Sequence, residues 1–135
     1  MAKLVLTGAY VSIATTDLSD HVRSLTVEVS ADLQDGTCMT EEWKTRLAGL
    51  KDWKATLELA QNYAGSSVDD VLFAALGVST ALIFRPTQAV AGADNPEFTG
   101  NAFLESYNPL DGKVGDLATA RPSFVGNGEL ERAVA

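Results

Sequence analysis

Two stretches of period-two alternation decide what this chain can become. In the first, Leu25, Val27 and Val29 alternate with Ser24, Thr26, Glu28 and Ser30; in the second, Trp53, Ala55, Leu57 and Leu59 alternate with Lys54, Thr56 and Glu58. Successive side chains of a strand point to opposite faces, so each stretch reads as a strand with one apolar and one wet face. The strands run from Arg23 to Ser30 and from Trp53 to Gln61, and a polar connection from Ala31 to Lys51 joins them. That connection far exceeds what a hairpin turn needs, and such excursions are usually functional or disordered.

Further strands are expected at Leu4 to Thr7, Tyr10 to Ala14, Ala81 to Arg85, around Ala102 to Tyr107, around Ala118 to Val125, and at Glu129 to Val134, with the first long strand opening at Val22. Gly8, Thr16-Asp17, Asn108-Pro109, Asp111-Gly112 and Gly126-Asn127-Gly128 punctuate the intervals with turn chemistry, the last read as a hairpin turn. One segment departs from this pattern. Val68, Val71, Leu72, Ala75 and Leu76 fall at helical spacing, Ser67 is placed to cap, Asp69 and Asp70 occupy the first turn, and Gly77 ends the helix. A short amphipathic helix from Ser67 to Leu76, packed on the sheet and covering the core, is expected. Residues Gln88 to Gly100 read as a second, mobile loop. The expectation is a mainly β chain, an antiparallel sandwich or barrel-like sheet with one flanking α-helix, forming a single domain over residues 1–135.

Composition narrows the function. The 135 residues are 46% apolar and 21% charged, in keeping with one folded domain. Ten Lys and Arg stand against 18 Asp and Glu, a formal charge of -8, and this argues against a surface built to grip phosphates. Cys38 is the only cysteine, so neither an internal disulfide nor a cysteine-rich zinc site can form. Thr7, Gly8, Tyr10 and Ser12 interrupt any signal-peptide core, and the longest apolar run, Val71 to Val78, is too short for a bilayer. The reading is a soluble protein made in a cytoplasm.

A search for chemistry turns up little. His21 and Cys38 are the one conceivable base and nucleophile, and no orienting motif accompanies them. Asp17 with Asp20, Glu41 with Glu42, and Asp94 with Glu97 could each hold a cation, but none has the EF-hand spacing, and turn or solvation roles explain them better. A glycosidase-type carboxylate pair is a weak signal, and no phosphate-binding loop or dinucleotide fingerprint is present. Neither a catalytic residue nor a metal or cofactor is expected. Trp53 falls in phase with Leu57 and Leu59 and belongs to the core, whereas Trp43, on the long polar connection, either anchors a partner surface or folds back on its own sheet.

The series Thr16-Asp17-Leu18-Ser19-Asp20-His21-Val22, Gly49-Leu50-Lys51-Asp52-Trp53, Val68-Asp69-Asp70-Val71-Leu72-Phe73 closing on Leu76-Gly77, Arg85-Pro86-Thr87, Asn95-Pro96, and Leu104-Glu105-Ser106-Tyr107-Asn108-Pro109 resembles the major tail tube proteins of long-tailed phages with non-contractile tails. The resemblance implies a subunit that joins hexameric rings, which stack into the tail tube of a virion. DNA passes through the channel without specific binding, and a tape measure and a tail terminator are the other partners. It further implies that Ala31 to Lys51 is an assembly loop contacting a neighbouring subunit or ring through Asp32, Gln34, Asp35, Met39, Glu41, Glu42, Trp43, Lys44 and Arg46. Ser24, Thr26, Glu28, Thr56 and Glu58, on the wet faces of the two strands, then line the lumen, where an acidic wall keeps DNA from adhering. The competing readings are a tail terminator or the inner tube of a contractile system, a monomeric carbohydrate-recognising module, and a small β-fold enzyme.

Overall fold

The alternation in the second stretch is met side chain by side chain: Trp53, Ala55, Leu57 and Leu59 are buried, while Lys54 and Thr56 are exposed. The computed structural model describes residues 8–93 and 95–134. The expected strand at Leu4 to Thr7 and the carboxylate of Asp94 lie outside them. Among the described residues nine strands form one antiparallel sheet: β1 (Tyr10–Ile13), β2 (Thr16–Asp17), β3 (Val22–Asp35), β4 (Arg46–Ala60), β5 (Ser79–Arg85), β6 (Glu97–Ser106), β7 (Thr119–Ala120), β8 (Ser123–Gly126) and β9 (Glu131–Ala133). Their order is β2-β1-β5-β6-β8-β4-β3, with β7 beside β4 and β9 beside β6. The sheet curls into a half-barrel around Val11, Ile13, Leu57, Leu59, Leu82, Phe84, Leu104 and Phe124. The mainly β, barrel-like architecture expected from the alternation is therefore present, as one curled sheet.

The long polar connection is where structure and expectation part. β3 continues to Asp35 and β4 begins at Arg46, so the connecting loop covers only residues 36–45 and the rest is a two-stranded arm. The arm escaped the sequence reading for two reasons. Both of its faces are exposed, which removes the in-and-out alternation that marks a strand. A register shift between Ala31 and Leu33, where Gly49 lies against the Asp32 carbonyl, also breaks the phase.

Three smaller differences follow from local chemistry. The strand expected around Ala118 to Val125 is split by Arg121-Pro122, because a proline has no N–H to give the ladder. Gly126-Asn127-Gly128 is no hairpin turn: β8 and β9 both pair with β6 and not with each other, so the glycines sit in a jog along one edge. The second loop is shorter than expected, since β6 begins at Glu97, and Asn95 ties it inward by accepting from the Thr87 N–H at 3.1 Å and donating to the Ala89 carbonyl at 2.8 Å.

The helix, α1 (Val68–Ala75), buries Val68, Leu72 and Ala75. Ser67 occupies the N-cap position without a capping side-chain hydrogen bond; Asp70 instead reaches back and accepts from the Ser66 N–H at 2.8 Å. At the other end Gly77 takes a φ of 75°, the left-handed conformation that terminates helices at little cost.

Candidate assembly surfaces

The strand pair that opened the sequence reading builds two surfaces. The first is its wet face. Ser24 lies opposite Glu58, Thr26 opposite Thr56 and Glu28 opposite Lys54, so Ser24, Thr26, Glu28, Thr56 and Glu58 share one side of β3 and β4. This face is not uniformly acidic. Lys54 approaches Glu28 at 3.9 Å, and Glu58 lies between Arg23 at 4.0 Å and Arg121 at 3.6 Å, with Arg121 also donating to Asp111 at 2.6 Å. Exposed pairs of this kind add little stability, but they compensate charge locally. The acidic wall expected from Glu28 and Glu58 is therefore replaced by a mixed face, because Lys54 lies opposite Glu28 while Arg23 and Arg121 flank Glu58.

The second surface is the arm. Asp32, Gln34, Asp35 and Arg46 lie in its paired portion, and Met39, Glu41, Glu42, Trp43 and Lys44 in its tip loop. The tip is held by its own side chains: the Gly36 N–H donates to the Thr45 carbonyl at 2.8 Å, and the Thr45 N–H to the Thr37 hydroxyl at 2.9 Å. The Thr37 hydroxyl, then its backbone N–H at 2.9 Å, keeps the Asp35 carboxyl below its ordinary value. Along this arm Val29, Leu33, Leu47, Leu50, Met39 and Trp43 are all exposed. This is an unusual amount of exposed apolar surface for a ribbon.

A third feature was not legible in the sequence. Leu25, Val27 and Val29 of β3 face Phe84 and Pro86, Phe98, Leu130 and Ala9 across an apolar groove of about 340 Å³. These residues come from distant parts of the chain, so no linear signal could collect them. Arg85 also lines the groove, with its guanidinium 4.0 Å over the Tyr10 ring and Nη1 donating to Glu97 at 3.1 Å. Its Nε–H is buried and has no acceptor among the described residues.

The remaining candidates stay apart. His21 precedes β3 and Cys38 follows it, so the length of a 14-residue strand, about 45 Å, separates them. Asp17 accepts from the Ser19 N–H at 2.9 Å, which is turn chemistry, and Glu41 accepts from the Thr45 hydroxyl at 3.2 Å. No metal-holding cluster of His, Cys, Asp and Glu occurs among the described residues, and no helix of the structure is long and apolar enough to cross a membrane.

The fold of this chain is similar to that of chains in virion, tail and injection-system particles. A chain in the virion of a native gene transfer agent particle aligns with a TM-score of 0.70 at 13% identity, over 94% of this chain and 96% of that one. A chain in the tail of the empty gene transfer agent particle, refined helically with C6 symmetry, gives 0.64 at 15% identity, over 86% and 85%. A chain of the sheath/tube terminator of an extracellular contractile injection system in its extended state gives 0.75 at 12% identity, over 99% of both chains. No protein-family model and no curated protein matches the sequence. At these identities the likeness is one of fold, and it covers nearly the whole chain.

Proposed function

We propose that this chain is the subunit of a tail tube: copies close into hexameric rings, the rings stack, and DNA leaves a virion through the channel. The observation that carries the reading is the exposed apolar arm on a half-barrel whose fold matches a chain of a gene transfer agent tail over 86% of its length and a chain in a sheath/tube terminator structure over 99%. Physical chemistry favours it as well. β3 is a long edge strand with no proline, and such an edge is protected in a closed ring or stack where a neighbour covers it. In this reading the arm contacts a neighbouring subunit or ring, and the wet face of β3 and β4 turns to the lumen. The chain is made in the cytoplasm of a bacterial host, carries no catalytic role, and meets a tape measure and a terminator at the ends of the tube.

A second reading has its own support in the alignment with a sheath/tube terminator over 99% of both chains. A terminator stops growth, so it forms rings that do not extend. Negative-stain microscopy of the purified protein across a concentration series separates the cases. Tubes support the tube subunit, single rings the terminator, and a monomer at high concentration would overturn both.

A further inference from the structure

The half-barrel curls without closing, and the gap it leaves is apolar. Leu25, Val27 and Val29 form one wall, with Phe84, Phe98 and Leu130 on the other, around about 340 Å³. That is within the range of pockets that bury a ring-sized group. The same molecule carries a ring with nothing over it: Trp43, at the arm tip, is 83% exposed.

The two cannot meet within one molecule. Val29 stands on the groove wall, and beyond it β3 stays paired with β4 through Leu33 opposite Ala48 and Asp35 opposite Arg46. At about 3.3 Å per residue this carries the tip some 20 Å past the groove. Folding back would break that ladder. An apolar knob and an apolar hole that one chain cannot bring together are joined by two copies, and a contact between different patches repeats head to tail.

We propose that Trp43 of one copy inserts into the groove between β3 and β5 of the next. This rests on the self-assembly reading above and names the acceptor for the arm. The arrangement is directional: each copy gives one tip and receives one, so the contact repeats head to tail, around a ring or from one ring to the next.

Two variants test it, Trp43→Ala in the knob and Val29→Glu in the hole; Val29 is 60% exposed, so the carboxylate leaves the fold intact, as a melting curve checks. Each is expected to raise the concentration for half-maximal tube formation at least about tenfold, as loss of a tryptophan anchor does, with Trp43→Phe recovering part of it. Mixed in equal amounts, the two variants are expected to pair one particle of each kind and stop, since one intact tip and one intact groove remain between them. In the parent, assembly moves the emission of Trp43 to the blue while Trp53, 2% exposed already, stays unchanged. Normal tubes from Trp43→Ala would overturn the docking and leave the tube reading standing. A mixture no more associated than either variant alone overturns it too, as does assembly lost on deleting residues 1–7 but kept in Trp43→Ala. A parent that never assembles takes both readings down.

Discussion

Trp53 illustrates how one side chain dictates the backbone around it. Its phase with Leu57 and Leu59 marks it as core, and it is buried, with its indole N–H donating to the Gly128 carbonyl at 3.1 Å. The room for that ring comes from elsewhere. A Cβ on Gly100 would stand 2.8 Å from the Trp53 ring, and one on Gly126 would overlap the indole outright. The jog between β8 and β9 is where the sheet edge gives way to the indole, and Gly128 at a φ of 101° makes the bend. Gly126→Ala is therefore expected to destabilise the fold by about 1–3 kcal/mol in urea titration, as overpacking does. Trp53→Phe in that background should restore part of the loss; no restoration would show that the glycine serves the backbone alone.

The elements are held by a few specific ties. Tyr107, just past β6, donates to Asp69 of α1 at 2.8 Å and accepts from the Gln61 side chain, just past β4, at 3.0 Å, so one phenol joins the helix to two strand ends. Burial, outweighing the Gln61 hydrogen bond and aided by Asp69, pushes its pKa from 10.0 up to about 12. The neutral phenol is thus favoured in the folded state. Its contribution is complete below pH 10 and is lost as the pH rises from 10 to about 12. Thermal midpoints of the parent and Tyr107→Phe should accordingly converge across that window, and parallel curves would remove the tie. The arm is a different kind of element, paired within itself and packed on nothing. Replacing residues 31–51 by a short Gly-Ser turn should leave a cooperatively folding monomer that makes no tubes, read by calorimetry and sedimentation. Tubes of normal length from that variant would dismiss the arm as an assembly device.

For the whole molecule, the formal charge of -8 suggests a repelling channel, yet the face proposed for the lumen is compensated. Lys54, Arg23 and Arg121 stand within 4.0 Å of Glu28 or Glu58, so in the proposed tube a ring of such faces would present alternating charge to passing DNA. Screening over about 8–10 Å blurs that alternation at a distance. Glu28→Lys with Glu58→Lys would leave four cations on the two strands without these acidic partners, the two new lysines with Arg23 and Lys54, while Arg121 keeps Asp111. Tubes should still form, with each lost cross-strand pair costing on the order of 0.2–1 kcal/mol, while DNA release from particles carrying the variant slows and the delay fades with salt. Unchanged release with the variant incorporated would place these glutamates away from the channel.

Much of this architecture was legible in the chain itself, because burial writes its period into sequence. Trp53 to Leu59, the helix from Val68, and the turn at Gly77 could be read from phase, capping chemistry and glycine alone. What the phase could not reveal were elements that bury nothing on either side: the arm between Ala31 and Lys51 is a strand pair by backbone hydrogen bonding, and exposed ribbons leave no hydrophobic rhythm. Nor could it show which residues meet across the curl. Leu25 and Phe98, or Glu58 and Arg121, are distant in the chain and become neighbours only once strands far apart in sequence are placed in one sheet. Local propensity therefore determined the strands and the helix, while the groove, the compensated face and the reach of the arm were decided by long-range pairing, which depends on every strand at once.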